Sequence, residues 1–251
     1  MKPKILAVIP ARFASTRFPG KPLSPIAGKP LIEHLYLAAS KSRLIDKVVV
    51  ATDSHEIAAA VNRFGGEVVT TSSKHQTGSD RTAEVMEKLG GEIILNIQAD
   101  HLGITGAVYD KILTVMVGNR AIKFATIARK IEDEDVLYDP NRVKLVMDAS
   151  DHALWFSRYP LPFLQGVNEN RLRRFNYYYH IGVYFFRKSA LRAFHMWPRS
   201  PLERAESLEQ LRIMENHHKI RVFKIINRIY SIDTPNDIRL VEKYFSSRSG
   251  E

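Results

Sequence analysis

Residues 10 to 23 read Pro-Ala-Arg-Phe-Ala-Ser-Thr-Arg-Phe-Pro-Gly-Lys-Pro-Leu. The segment gathers Arg12, Arg17 and Lys21 with the hydroxyls of Ser15 and Thr16 and with Gly20. A triphosphate is held by such a combination: cationic side chains meet its charge, and a small-residue turn presents backbone N–H groups. Pro19, Gly20 and Pro22 restrict the shape of the segment, which favours a binding loop over a solvated basic surface loop. It is not a Walker A loop, because Pro22 follows Gly20-Lys21 and the first glycine of that motif is missing. Nor is it a Gly-x-Gly-x-x-Gly dinucleotide turn.

Two carboxylates complement this loop. Asp100 follows the apolar run Glu92 to Ile97, and Asp233 follows a run that ends at Ile232. Mg²⁺ is commonly held by one or two carboxylates together with phosphate oxygens and water. Phosphoryl-type transfer needs in-line positioning and charge neutralisation more than covalent help. Each aspartate also has a plainer use as a helix cap, and Asp233 before Thr234-Pro235 is a good helix entry. The metal reading is favoured for both, with the cap a rival for Asp233. Asp53 reads as a cap rather than a ligand. The adjacent His217 and His218 point to different helix faces and do not form a metal pair. With no cysteine in the chain, disulfides, cysteine-based zinc sites and a thiol nucleophile are excluded.

The elements that must position these residues alternate. Strand-like runs at Ile5–Ile9, Lys47–Ala51, Glu67–Thr71 and Glu92–Ile97 are separated by helical patterns at Pro30–Ser42, Ser54–Phe64 and Asp80–Leu89. Such alternation predicts an α/β fold, mainly a parallel sheet with helices on both faces. Active sites of these sheets lie beyond the carboxyl ends of the strands, where Arg12, Asp53, the His75 segment and Asp100 all fall. The second half reads differently. Val143–Met147, Ala153–Phe156 and Tyr177–Phe186 look like strands without intervening helices, and predict an inserted antiparallel lobe at about residues 130–190. A helix over Leu202–Asn216, a strand over Ile220–Ile226 and a closing helix over Pro235–Phe245 complete the pattern. The expectation is one domain over residues 1–251, without repeats or a flexible linker.

The chain has 251 residues, is 45% hydrophobic and 25% charged, and so has the material for a sizeable core. Its formal charge of +10 suits anionic partners. Lys and Arg are spread along the chain rather than gathered in a tail, which favours anionic small substrates over nucleic acid. The densest cluster, Arg171 to Arg174, reads as a solvated loop. No stretch reaches the length of a membrane span. The apolar run after Met1-Lys2-Pro3-Lys4 is too short for a signal peptide, so a buried strand of a cytosolic protein is expected, with no membrane partner.

The loop at 10–23 resembles the signature of sugar nucleotidylyltransferases, and its wording is similar to the 3-deoxy-manno-octulosonate (Kdo) cytidylyltransferase family. Further segments match in order and spacing. His75-Gln76-Thr77-Gly78-Ser79-Asp80-Arg81 is similar to that family's His-x-Ser-Gly-Thr-Asp-Arg, and Asn96-Ile97-Gln98-Ala99-Asp100 to its Asn-x-Gln-Gly-Asp. Ala153 to Arg158, His180 to Tyr184, Leu208 to Arg212 and Asp233-Thr234-Pro235 extend the likeness over almost the whole chain. The resemblance implies transfer of a cytidylyl group from CTP to the anomeric hydroxyl of Kdo, with release of pyrophosphate and a requirement for Mg²⁺. The product, CMP-Kdo, serves lipopolysaccharide synthesis, and the resemblance also suggests a homodimer through the antiparallel lobe.

By the same resemblance, Arg12, Ser15, Arg17 and Lys21 hold the triphosphate, with Lys21, Arg12 and Asp100 catalytic. Gly78, Arg81 and Gln98 are nucleotide contacts. Arg158, His180, Glu209 and Gln210 are sugar contacts, and Asp100 and Asp233 bind the metal. On residue type alone, Arg158 could instead serve a structural ion pair, His180 a satisfied core position and Glu209-Gln210 a solvated helix face. The chain departs from the family where Ala99 replaces Gly, where His101-Leu102 replace Glu-Pro, and where Ser231 stands in place of a common glycine. Loss of the proline is expected to free the backbone there. A changed acceptor, such as a modified Kdo, or an inactive nucleotide-binding relative are the alternatives this leaves open.

Overall fold

The structure, a computed structural model, describes residues 4–13, 18–167 and 169–248, with side chains as far as Glu242. It comprises two compact units: Met1–Gly118 with Arg228–Glu251, and Asn119–Asn227.

The first unit opens with β1 (Ile5–Pro10), almost wholly buried. A short hairpin of β2 (Pro25–Ile26) and β3 (Lys29–Pro30) leads into α1 (Leu31–Ser40), which buries Leu31, Ile32, Leu35 and Ala39. Then follow β4 (Lys47–Thr52), α2 (His55–Arg63), β5 (Val68–Thr70), α3 (Gly78–Leu89) and β6 (Ile93–Ile97). All their ladders are parallel: β1 lies between β4 and β6, and β4 also pairs with β5. The continuous apolar runs are explained by this arrangement, since strands of a helix-covered parallel sheet are buried on both faces. Helix starts follow local chemistry. The Ser54 hydroxyl accepts from the Ile57 amide to cap α2, and Thr77 with Asp80 forms a reciprocal capping box for α3. The unit continues through β7 (His101–Leu102) and α4 (Gly106–Gly118).

The second unit contains β8 (Phe124–Lys130), α5 (Glu134–Tyr138), β9 (Lys144–Met147), β10 (Ala153–Ser157), α6 (Arg171–Arg174) and β11 (Tyr178–Arg187). After them come α7 (Lys188–Met196), α8 (Pro201–Glu206), α9 (Gln210–Glu215) and β12 (Ile220–Ile225). Strand β11 is antiparallel to both β8 and β9, β9 is antiparallel to β10, and β12 runs parallel to β8.

The elements differ from expectation in three places. The sequence reading placed no element between Ile97 and Val143, nor a helix after Phe186, where β7, α4, β8, α5 and α7 lie. The segment Arg171–Arg174 is one helical turn rather than a loop, with the Arg171 guanidinium 5.9 Å from the Tyr138 ring centroid. The single helix expected over Leu202–Asn216 is broken into α8 and α9 by Ser207, which adopts a left-handed conformation (φ 53°).

The chain then returns to the first unit. Strand β13 (Tyr230–Ser231) pairs antiparallel with β7, Tyr230 opposite Leu102 and Ser231 opposite His101, before α10 (Pro235–Arg248). One residue further along, the Ile232 amide donates to the Asp100 carbonyl at 2.8 Å. Gly103 lies at φ +107°, and a Cβ there would come within 2.2 Å of the Arg228 carbonyl oxygen, so only glycine permits this approach. The 101–102 backbone is therefore held in a ladder rather than freed by the loss of proline.

A buried ion pair spans the break between α8 and α9. Arg212 donates through Nε and Nη2 to the two carboxylate oxygens of Glu203, at 2.7 and 2.6 Å. The residues are 3% and 1% exposed. Glu203 also closes the Ser200 capping box, and the Arg212 guanidinium lies 4.3 Å from the Phe194 ring centroid. Removing one partner of such a pair leaves the other charge buried and uncompensated. Glu203→Ala is expected to destabilise the protein by about 3–5 kcal/mol in urea unfolding at neutral pH. A loss below about 1 kcal/mol, the range of an exposed pair, would show that the ion pair does not hold α8 against α9.

Candidate active site

The parallel ladders bring several strand ends together. Pro10 lies opposite Ala51, Thr52 opposite Thr70, and Val8 opposite Asn96. Arg12, Asp53, the segment after Thr70, and Gln98 with Asp100 therefore leave the sheet on one side. This is where an open α/β sheet binds ligands.

The loop after β1 turns at Gly20, whose φ of +71° favours glycine, and whose amide donates to the Phe13 carbonyl at 3.0 Å. Lys21 begins a single turn of 3₁₀-helix, and its ammonium makes no ion pair with the described residues. The exposed Arg12 is oriented by one bond, from Nη2 to the Gln76 carbonyl at 3.0 Å. Ser15 and Arg17 lie outside the described residues. Gly78 is the first residue of α3, and a Cβ on it would come 3.0 Å from Pro10 Cγ. A small residue therefore brings the amino end of α3 against the end of β1. Such a helix start presents free N–H groups to anions.

Arg81 is buried, and its guanidinium is already engaged. Nη2 pairs with Asp53 Oδ1 at 2.9 Å and Nη1 donates to Thr71 Oγ1 at 2.7 Å. Arg81 thus ties together the ends of β4, β5 and α3. Ser54 provides the cap that the sequence suggested for Asp53.

Glu84 organises the segment between β5 and α3. It accepts from the Ser72 amide at 2.9 Å and from His75 Nε2 at 2.5 Å, and pairs with Lys88 at 2.6 Å. Desolvation opposes its charge, but the bonds from Lys88, Ser72 and His75 outweigh it and pull the carboxyl down to about 2. Glu84 is therefore an acceptor throughout the physiological range, fixing the segment that carries Gln76 and Thr77.

The β7–β13 ladder and the Ile232-to-Asp100 bond bring the backbones bearing Asp100 and Asp233 side by side. His101 Nδ1 lies 2.6 Å from Asp100 Oδ1. The cap of α10 is Asp237: its Oδ2 accepts from the amides of Asp233 and Thr234 and from the Thr234 hydroxyl. The Asp233 carboxylate is not used as that cap, and it holds no hydrogen bond among the described residues. No group of three or more His, Cys, Asp or Glu side chains suited to a metal occurs among the described residues. A pair of carboxylates fits a hard cation that takes its remaining ligands from phosphate and water.

In the second unit, Arg158 binds main chain. Nε donates to the Glu206 carbonyl at 2.7 Å, Nη1 to the Pro140 carbonyl at 2.9 Å, and Nη2 to the Ser207 carbonyl at 3.5 Å. Beside it, the fully buried Lys144 donates to the Asp139 carbonyl at 2.8 Å. Burial pushes its ammonium down to about 8, against the attraction of Asp139 and with the repulsion of Arg158. His180 is buried, with Nε2 2.8 Å from Thr126 Oγ1 and its ring edge-on to Phe156. Tyr184 donates to Gln210 Oε1 at 2.9 Å. The Gln210 side-chain nitrogen is buried with no hydrogen-bond partner in the structure. Glu209 is the residue before α9.

Sequence reasoning missed the roles of Glu84, Thr126, Tyr184 and Asp237, and singled out His101 without its bond to Asp100. Asp237, three residues after Thr234, was the legible one, since Thr-x-x-Asp resembles a capping box. Thr126 and Tyr184 depend on contacts between distant segments that leave no local pattern.

Among the described residues, no helix is long and apolar enough to cross a membrane. The cytidylyltransferase family matches the chain over residues 6–220. The 3-deoxy-manno-octulosonate cytidylyltransferase of Geobacter sulfurreducens is 45% identical over 244 residues, covering 94% of this chain and 97% of that protein. Its counterpart from Thermodesulfovibrio yellowstonii is 42% identical over 257 residues, covering 97% and 99%. A solved CMP:2-keto-3-deoxy-manno-octonic acid synthetase complexed with CTP has a TM-score of 0.89 at 35% identity, covering 98% and 99%. A cytidylyltransferase from Leptospira borgpetersenii, at 16% identity and a TM-score of 0.65, shares the fold. Likeness of this identity over nearly the full length shows that the chain belongs to the cytidylyltransferases, in the 3-deoxy-manno-octulosonate cytidylyltransferase family.

Proposed function

We propose that this protein transfers a cytidylyl group from CTP to the anomeric hydroxyl of Kdo, giving CMP-Kdo for lipopolysaccharide synthesis. The hydroxyl oxygen forms a bond to the α-phosphorus, the bond from that phosphorus to the β-phosphate bridge breaks, and pyrophosphate leaves. The hydroxyl proton is released. The observation that carries the reading is the junction of Asp100 with Asp233 on the side of the sheet where the Arg12–Lys21 loop emerges.

Arg12, Ser15, Arg17 and Lys21 are assigned to the triphosphate, with Lys21 neutralising charge at the phosphate under attack. Gly78 lends the amino end of α3, and Gln98 is assigned to the nucleotide. Arg81, engaged with Asp53 and Thr71, acts by holding these segments in place. Asp100 and Asp233 are the residues that would hold Mg²⁺, which when bound neutralises phosphate charge and orients the triphosphate. His180, Glu209 and Gln210 are assigned to the sugar acid, supported by the unpaired buried nitrogen of Gln210. Arg158, engaged with three carbonyls, is assigned to shaping that region. The reading places the enzyme in the cytoplasm.

Association of two copies through the second unit, which the resemblance suggests, is supported by exposed Leu154, Tyr159 and Phe163 on and just after β10. Sedimentation velocity is expected to give twice the chain mass. A monomer at micromolar concentration would refute it.

The reaction is tested by pyrophosphate release from CTP, Mg²⁺ and Kdo. Turnover is expected with CTP in preference to UTP, ATP or GTP, and equal rates with all four would remove the cytidylyl assignment.

Lys21→Ala is expected to lower turnover by about two to four powers of ten while leaving the fold intact, the scale for loss of a transition-state charge partner. Asp100→Asn and Asp233→Asn are each expected to abolish Mg²⁺-dependent turnover in a folded protein, because the charge a hard cation needs is gone. If Asp233→Asn loses only thermal stability, the cation has one protein carboxylate.

A further inference from the structure

Residues 101, 102, 230 and 231, far apart in the chain, form one place in the fold. His101 stands opposite Ser231, and Leu102 opposite Tyr230, in the β7–β13 ladder. Leu102 is buried and anchors the ladder. The imidazole of His101 is 12% exposed, and its Nδ1 lies 2.6 Å from Asp100 Oδ1. An ionised carboxylate can only accept, so Nδ1 carries the shared proton and donates it. The bond is short for N–H···O, as expected when the acceptor is charged. Across the ladder, the Ser231 hydroxyl is buried with no hydrogen-bond partner among the described residues.

We propose that His101 is a positioning residue for the cation: its Nδ1–H fixes the direction of the Asp100 carboxylate. The inference rests on Asp100 binding the cation. It assigns His101 no bond to metal, since imidazole is a poor ligand for Mg²⁺. Hydrogen-bonded neighbours of metal-ligating groups typically change metal affinity by about 10–100-fold when removed. A residue that merely filled space would show no such dependence on donor chemistry.

The test measures Mn²⁺, as a probe for Mg²⁺, binding to the CTP-loaded protein without acceptor sugar. Water-proton relaxation enhancement distinguishes protein-bound from nucleotide-bound manganese. His101→Ala is expected to weaken Mn²⁺ binding by about 10–100-fold. His101→Asn places an amide N–H near the former Nδ1 and is expected to restore most of the affinity. Circular dichroism melts confirm that each variant is folded, and the Asn variant keeps the test decisive should the Ala variant unfold. Asp100→Asn, measured in parallel, is expected to lose Mn²⁺ binding. If Asp100→Asn loses it while His101→Ala binds as the unaltered protein does, the positioning role is overturned and the Asp100 assignment stands. A folded Asn variant that binds much more weakly than the unaltered protein would equally overturn donation as the cause. Unchanged binding in Asp100→Asn overturns the metal assignment itself, and the role of His101 with it.

Discussion

A backbone hydrogen bond from the Ile232 amide to the Asp100 carbonyl, with the β7–β13 ladder beside it, holds the backbones of Asp100 and Asp233 side by side. Asp100 lies just beyond the end of β6, whereas Asp233 comes after the chain has traversed the whole second unit. Only the two-residue ladder of β7 and β13 joins them. A ladder so short has little stability alone. It is supported by buried Leu102 on one strand and buried Ile232 just after the other, and by the close approach of Gly103 to the Arg228 carbonyl. Each support is a packing constraint, and together they set where Asp100 and Asp233 meet.

The basic character of the chain looks different once its partners are known. Arg81, Arg158 and Arg212 carry full charges, yet all three are directed at groups within their own unit: a carboxylate and a hydroxyl, three carbonyls, and a buried glutamate. A planar guanidinium with several fixed donors can pin separate segments at once, which an ammonium does less well. Arg12 and Lys21 are different. They sit on the loop after β1 with few or no protein partners, as suits groups that await an anionic ligand.

The parallel half of the fold was legible because its signals are local. β1, β4, β5 and β6 are short apolar runs, and Ser54, Thr77 and Gly90 mark helix ends through side-chain oxygens or positive φ. The turn at Gly20 was legible from composition, since a glycine stands between two prolines among the charges. What stayed hidden depends on contacts between distant segments. Nothing local tells that Arg212 reaches Glu203 and splits a helical pattern at Ser207. Likewise, the apolar run of α4 is not distinguished by pattern alone from a buried strand, although Thr105 stands before it. The cap of α10 was in view as an aspartate at the right offset, but two aspartates competed for it, and only the structure assigns it to Asp237.

The first unit is assembled from two stretches of chain separated by the whole of the second. During synthesis, the parallel strands β1, β4, β5 and β6 emerge well before β13, and the contiguous second unit can form in the interval. Until residues 230 to 233 leave the ribosome, Asp100 has no second carboxylate beside it. A nascent chain can thus acquire the parallel strands of the first unit while Asp100 still lacks its neighbour Asp233. Topology therefore delays the meeting of these two residues until the second unit has been made.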